Sequence, residues 1–380
     1  MPSPLVSVVM SAYNKGDFIG EAIESILGQS FPDFELIVVN DGSTDGSGEI
    51  IERYKRADSR LQAFDQPNRG VVYTANRGCA LARGKYIARL DADDVAMPTR
   101  LERQVEFLER QPQVAVLGAG WYILGRGGKC LGPIAPAEDD GAIRELLPRR
   151  NCFAQSAVMM RTDVFRAVGG YRPAFPPAED YDLWLRISDR YQMANLPYPL
   201  LYYRMHPQQA TLNRMEQVAK AILATRAVTQ RRRSGGSDPL DNVEEITPEI
   251  LTALGVTEQM LADGLAEQYA ASAMVASAAG FQEHARKVLD QGAASCRNRP
   301  PSRSVMGQFE WQSAKVHART GEVMSTLFCA VSACWQKPAL ATEPFAYAFR
   351  RALSLVTAKK RGEVAYGRRE HAESIPASRR

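Results

Sequence analysis

Cys-x-x-Cys pairs, zinc-spaced histidines and long apolar runs are all missing from this sequence. The six cysteines (Cys79, Cys130, Cys152, Cys296, Cys329 and Cys334) are scattered, which excludes a zinc site of ordinary spacing and a disulfide framework and reads as thiols in a reducing compartment. Val323 to Trp335, the most apolar stretch near the C-terminus, falls well short of the ~20 residues that a spanning helix needs. No charged-then-apolar leader precedes the first strand pattern, so the expected location is cytoplasmic. A large net charge is missing too. With 47 Lys and Arg against 43 Asp and Glu, the formal charge of +4 excludes a general polyanion-binding role, nucleic acid included. What imbalance exists is local: Arg231-Arg232-Arg233, and a segment from Pro344 to Arg380 with nine Lys or Arg against three Glu. An anionic membrane surface attracts such segments, so peripheral attachment to the inner membrane face through this tail accompanies the cytoplasmic expectation.

What is present centres on Lys85-Tyr86-Ile87-Ala88-Arg89-Leu90-Asp91-Ala92-Asp93-Asp94. A β-rich run ends there in three carboxylates within four residues, at the position where an α/β sheet opens its ligand crevice. Carboxylates so crowded repel one another unless a cation sits among them. Mg²⁺ or Mn²⁺ suits the place, because such an ion takes one or two carboxylates and fills its shell with substrate phosphate oxygens. A solvated turn would use the same residues, so the remainder of the chain must decide.

Upstream, three strand–helix units precede residue 85. Leu5 to Met10 is a buried-type strand emptying into Ser11-Ala12-Tyr13-Asn14, and Phe18 to Leu27 has helical period. Phe34 to Asn40 runs into Asp41-Gly42-Ser43-Thr44-Asp45-Gly46, and Leu61 to Phe64 is followed by a helix opened at Asn68-Arg69-Gly70. The spacing predicts a mononucleotide-binding half-sheet. Downstream, Pro98 starts a helix, Val114 to Leu124 is an apolar run, Gly125 to Ala154 is loop-like with a short helix near Asp140, and Ala154 to Met160 reads as a strand. A helix capped by Thr162 follows and closes at Gly169-Gly170-Tyr171. Glu179-Asp180-Tyr181-Asp182 then leads into an amphipathic helix, and Leu200 to His206 reads as a strand. The expected organisation is a catalytic domain over 1–215, a linker over 216–245, a helical domain over 246–340 and a basic tail over 341–380.

In one order, then, stand the Val-Ser-Val-Val strand ending in Ala-Tyr-Asn, Asn40-Asp41-Gly42-Ser43-Thr44-Asp45, Asn68-Arg69-Gly70, Asp91-Ala92-Asp93-Asp94, Gly169-Gly170-Tyr171, Glu179-Asp180-Tyr181-Asp182-Leu183-Trp184-Leu185-Arg186 and Tyr203-Arg204-Met205-His206. Over about residues 4–215 this resembles the inverting family-2 glycosyltransferases of the GT-A fold. The resemblance implies a Rossmann-like, α/β mixed sheet flanked by helices, ahead of an α-helical C-terminal region. It further implies that Ser11, Tyr13, Asn14 and Asp41 bind the nucleotide, Asp41 accepting from a uracil-type N–H. Asp91 and Asp93 would be the two acidic positions of the Asp-x-Asp motif at the metal, Asp93 the more direct ligand and Asp91 also holding the ribose, with His206 near the diphosphate as a metal or phosphate contact. Asp180 matches the catalytic base and Glu179 its acidic neighbour. One departure stands out: where the family often has an Arg in the helix after the Asn-x-Gly turn, this chain has Ala75, so Arg77 or Arg69 would have to take over the diphosphate contact.

Inverting transfer needs a base for the acceptor hydroxyl and charge neutralisation on the departing diphosphate, and the two acidic clusters suit these two tasks. The expected activity is metal-dependent transfer from a nucleoside-diphosphate sugar, a UDP-sugar by the resemblance, to a glycan or lipid-linked acceptor in surface-polysaccharide assembly. A sugar-nucleotide nucleotidyltransferase would also carry acidic metal ligands on such a sheet, but Ser11-Ala12-Tyr13-Asn14-Lys15-Gly16 matches its phosphate loop poorly. A non-catalytic nucleotide-sugar binding scaffold would rest on Ala75.

Overall fold

The computed structural model describes residues 3–209, 214–241, 243–337 and 340; the basic tail expected over 341–380 lies outside the described residues. The chain divides into two compact units, Met1–Leu261 with Ala278–Gly280, and Ala262–Ser277 with Phe281–Arg380.

Strands β1 (Val6–Ala12), β2 (Phe34–Asn40), β3 (Leu61–Asp65) and β4 (Tyr86–Arg89) form the parallel half of a nine-stranded sheet, in the order β3-β2-β1-β4. Beyond β4 the sheet becomes mixed. β8 (Met159–Arg161) runs antiparallel to β4 and to β6 (Val114–Leu124), β9 (Gln192–Arg204) runs parallel to β6, and β5 (Val95–Ala96) and β7 (Cys130–Ile134) pair antiparallel to β9 and β6.

Strand alternation splits the core into two layers. Val6, Val8 and Met10 of β1 share one cluster with Ile23 of α1 (Ile19–Leu27), Ile51 of α2 (Ser47–Ala57) and Leu101 of α4 (Arg100–Arg110). Val9 points the other way, into a cluster with Val72, Ala75 and Cys79 of α3 (Val71–Leu81) and Leu183 and Trp184 of α7 (Glu179–Ser188). Gly78 permits the close approach of α3 to the sheet, since a Cβ there would come within 2.5 Å of Val9 Cγ1.

Four expectations are corrected. Ala154 to Met160 is a 3₁₀ turn over Gln155–Ala157 before the three-residue β8, because Ala157 N and Val158 N bond back to Ala154 O and Gln155 O at 2.8 and 3.1 Å. Thr162 does not cap α6 (Thr162–Ala167); its Oγ1 donates to Gly84 O at 2.7 Å. The loop after Gly125 carries β7 as well as α5 (Asp140–Leu146). Most of the expected linker is the 19-residue helix α8 (Met215–Arg233), and the first unit continues to Leu261 rather than closing near residue 215. α8 is buried through Val218, Ala219, Ala221, Ala224, Val228 and other positions spread widely round its axis.

α9 (Pro248–Ala253) is capped by Thr247, whose Oγ1 accepts from Ile250 N. α10 (Glu258–Ala278), α11 (Gln282–Asn298), α12 (Arg303–Thr320) and α13 (Val323–Gln336) follow. In the second unit α12 and α13 pack together through Trp311, Ala314, Ala330 and Ala333, while Met324, Phe328, Val331 and Trp335 of α13 stand exposed. Among the described residues no helix is long and apolar enough to cross a membrane.

Candidate active site

β1, β2 and β4 are parallel, and β6 and β9 point the same way because β8 runs antiparallel to both β4 and β6. The segments leaving their carboxyl ends, Ser11–Asn14, Asp41–Asp45, Asp91–Asp94 and Arg204–His206, therefore emerge along one edge of the sheet.

The first two loops are stitched together. Asn14, at φ +50°, uses the left-handed conformation that Asn tolerates to turn its Oδ1 onto Thr44 N at 2.8 Å, while its own N donates to Ser43 Oγ at 3.0 Å. Lys15 N and Gly16 N donate to Ser47 Oγ and Asp45 Oδ2, each at 2.9 Å. Beside this seam Tyr13 is about half exposed, at 48%, and Ser11 Oγ is buried without a partner. Asp41 is buried and already accepts three bonds: from Gln66 Nε2 and Arg69 N on Oδ1, and from Gly70 N on Oδ2. It ties β2 to the Asn68–Gly70 turn and keeps spare lone-pair capacity on Oδ2. Arg77 donates to Asp65 O and Gln66 Oε1 and supports Asp41 through Gln66; no hydrogen bond brings it to Asp91 or Asp93. Ala75 is fully buried in the core and presents nothing to the edge, whereas the exposed Arg69 stacks over Tyr73, 3.6 Å from the ring centroid.

The Asp-x-Asp loop meets cations on several sides. Asp93 Oδ2 sits 2.6 Å from Lys15 Nζ and 2.9 Å from His206 Nε2. Burial alone would raise its carboxyl, but the His206 hydrogen bond and the Lys15 charge hold it below the usual carboxylate range. Asp94 is buried, and Arg204 N donates to its Oδ1 at 2.8 Å. Burial and then the charges of Asp93 and Asp91 push it well above the ordinary range, and its Oδ2 has no partner. Asp91 keeps 37% of its side chain open to solvent; burial raises its carboxyl, while Arg89 Nη2 at 3.4 Å pulls it back. Beneath lie two fully buried guanidiniums. Arg89 donates to Val9 O, and Arg100 donates to Arg89 O and Val158 O; burial lowers the Arg100 pKa to about 9, with Asp94 opposing the fall.

The second acidic cluster begins α7. Glu179 is 5% exposed, has an unpartnered Oε2, and is pushed up to about 8 by burial and then by the Asp180 charge. Asp180 is half-buried; its Oδ2 accepts from Asn151 Nδ2 at 2.9 Å and its Oδ1 from Tyr181 N at 2.6 Å. Burial pushes Asp180 up to about 6, Tyr181 N and Asn151 pulling it back and the Asp91 charge adding to the rise. The charge of Asp91 thus acts on both Glu179 and Asp180, so clusters almost ninety residues apart in sequence share one electrostatic environment.

A family model described as glycosyl transferase family 2 matches residues 7–169. An uncharacterized glycosyltransferase of Haemophilus influenzae is 34% identical over 220 residues, 55% of this chain and 68% of that protein. The O-antigen biosynthesis glycosyltransferase WbnJ of Escherichia coli is 31% identical over 206 residues, 53% of this chain and 80% of that protein. The chain belongs to glycosyl transferase family 2. Residues 1–349 of S. aureus TarS, solved in complex with UDP-GlcNAc, share the fold of this family-2 glycosyltransferase at a TM-score of 0.52 and 17% identity, over 88% of this chain and 92% of that one. The enzyme is a glycosyltransferase, which sets aside the nucleotidyltransferase and non-catalytic scaffold readings.

Sequence patterns missed several residues of this glycosyltransferase's edge. Arg204 bonds Asp94 through its backbone, Asp93 O through Nε at 2.9 Å, and Glu21 through Nη2, which fixes the Asp-x-Asp loop. It stood inside the Tyr203–His206 motif with no assigned role. Ser156, which accepts from Asp91 N at 3.0 Å, lay inside the run read as a strand, and Asn151 in the loop-like stretch before it, neither with an assigned role.

Proposed function

We propose that this enzyme transfers a sugar with inversion from a UDP-sugar, aided by a divalent ion, to a glycan or lipid-linked acceptor in surface-polysaccharide assembly. One observation supports the chemistry: Asp180, held by Asn151 Nδ2 at 2.9 Å and raised to about 6 chiefly by burial, also feels the charge of Asp91. The UDP-GlcNAc complex of TarS supports the donor class, and the printed role of WbnJ in O-antigen biosynthesis supports the acceptor class.

Asp180 would accept the acceptor hydroxyl's proton while that oxygen bonds to the anomeric carbon. On the opposite face the bond to the diphosphate oxygen breaks, and its electron pair leaves with the nucleotide. Asp93 and His206 suit the ion. Their donor atoms already converge, Asp93 Oδ2 lying 2.9 Å from His206 Nε2, while Nδ1 meets Gln208 Oε1 at 3.1 Å and orients the ring. Among the described residues no three His, Cys, Asp or Glu side chains form a closed cage, which suits an ion completed by phosphate oxygens. When bound, the ion would offset charge developing on the diphosphate. Tyr13 would cover the base, and Arg69 would stand in for the Arg absent at Ala75.

Calorimetry of UDP, with GDP as control, tests this. UDP is expected to bind with Mn²⁺ and about tenfold or more weaker without it, and Asp93→Asn to erase the difference. Equal UDP affinity in all four conditions would rule the site out.

We also propose that the enzyme works at an anionic membrane surface. The exposed row Met324, Phe328, Val331 and Trp335 supplies apolar contact, and the basic run after Pro344 supplies charge complementarity. Flotation with phosphatidylserine vesicles is expected to retain the full chain and to release Phe328→Ser/Trp335→Ser; equal flotation of both sinks the proposal.

A further inference from the structure

Lys15 reaches into the place where the proposed ion would sit. Its Nζ lies 2.6 Å from Asp93 Oδ2 and 3.4 Å from His206 Nε2, the two atoms that suit a divalent cation. The mount is rigid. Lys15 N donates to Ser47 Oγ, and Lys15 O accepts from Phe18 N and Ile19 N at 2.9 and 2.8 Å, which pins the backbone at the start of α1. His206 is fixed as well, its ring against Phe18 at 4.8 Å between centroids and its Nδ1 on Gln208. Only the four-carbon stem of Lys15 is free to carry its charge elsewhere, and 21% of that side chain is open to solvent, against 12% for Asp93.

Resting on the reading that Asp93 and His206 take the ion, we propose that Lys15 is its resident substitute. With no donor bound, the ammonium neutralises Asp93 and keeps the divalent ion out. An arriving nucleoside diphosphate offers the ammonium a stronger anionic partner and draws it off Asp93, so nucleotide and ion bind as one event. No bond to Lys15 forms or breaks; a charge moves along one edge. The loops carrying Asn14, Ser43 and Thr44, stitched to the Lys15 backbone, are those expected to meet the nucleotide, so the new partner lies within reach of the stem.

This makes ion binding conditional. A fixed charge within a few ångströms changes a binding equilibrium by about tenfold to a thousandfold, so removing Lys15 should open the site to the ion alone.

The experiment titrates Mn²⁺ into the full chain, following free Mn²⁺ by electron paramagnetic resonance, with and without UDP, for wild type, Lys15→Met and Lys15→Arg. Wild type and Lys15→Arg should bind Mn²⁺ weakly alone and at least about tenfold tighter with UDP; Lys15→Met should bind Mn²⁺ about tenfold tighter than wild type with no UDP present. Thermal melting checks that each variant is folded, and Lys15→Gln replaces Lys15→Met if that one is not. Unchanged or weaker Mn²⁺ binding by the neutral variant, where wild type binds it with UDP, overturns the Lys15 role and leaves the metal reading standing. If no variant binds Mn²⁺ even with UDP, the metal reading falls and this proposal with it.

Discussion

Asp180→Asn is expected to lower kcat by about a thousandfold, within the range that removal of a general base produces, while UDP affinity stays within about twofold. Two carboxylates at the start of α7 compete for the role, and their environments separate them. Burial and then the Asp180 charge push Glu179 up to about 8, further than Asp180, which favours its neutral form at neutral pH and makes it the poorer base there. Asp180, at about 6, is ionised yet basic enough to take a proton. The pH profile follows from the sign. A carboxyl raised to about 6 is neutral below that value, so kcat/KM should fall as the pH drops through about 6 and flatten above it. Asn151 stabilises the charged form, so Asn151→Ala should move the acid limb upward. If Asp180→Asn keeps more than a tenth of wild-type kcat, the base lies elsewhere.

Asp182, two residues on, should matter for folding instead: Asp182→Ala is expected to cost about 3–5 kcal/mol, as loss of one member of a buried ion pair does. It is 1% exposed, and its Oδ2 accepts from Arg172 Nε at 3.0 Å and Arg186 Nε at 2.8 Å, while Oδ1 takes Arg172 Nη2. Arg172 Nη1 continues to Asp238, which Arg232 shares, and Arg186 holds Val168 O and Gly170 O. Removing Asp182 leaves two buried guanidiniums facing each other without the anion between them. Urea unfolding monitored by circular dichroism checks this, with a lowered midpoint and an unchanged slope expected. A loss under about 1 kcal/mol would show that Asp238 alone compensates the pair.

The parallel half of the sheet was legible because its strands are short apolar runs with Asp and Gly at their carboxyl ends, where composition and position coincide. β2 was read residue for residue as Phe34–Asn40. α8 was not legible: its buried positions are spread widely round the axis, so it shows no single apolar stripe, and its closing Arg231-Arg232-Arg233 ahead of Ser234-Gly235-Gly236 resembles a linker. β7 contains Gly132 and Pro133 and draws its strand character from pairing with β6, which no local pattern announces. At the proposed site, the sequence singles out residues in dense motifs and not the residues that act on those motifs from afar. Lys15 is 78 positions from Asp93 and Arg204 is 110 from Asp94, and only the fold brings them together.

The seam between the first two loops has a further consequence, for the thermodynamics of donor capture. Asn14, Lys15 and Gly16 are bonded across to Ser43, Thr44, Asp45 and Ser47, so two connections that would otherwise fluctuate separately behave as one plate. Immobilising loose segments on association works against affinity, and here that ordering has already taken place during folding. A donor bound at this seam, as proposed, would meet a half-site assembled in advance, leaving side chains rather than backbone to be arranged on its arrival.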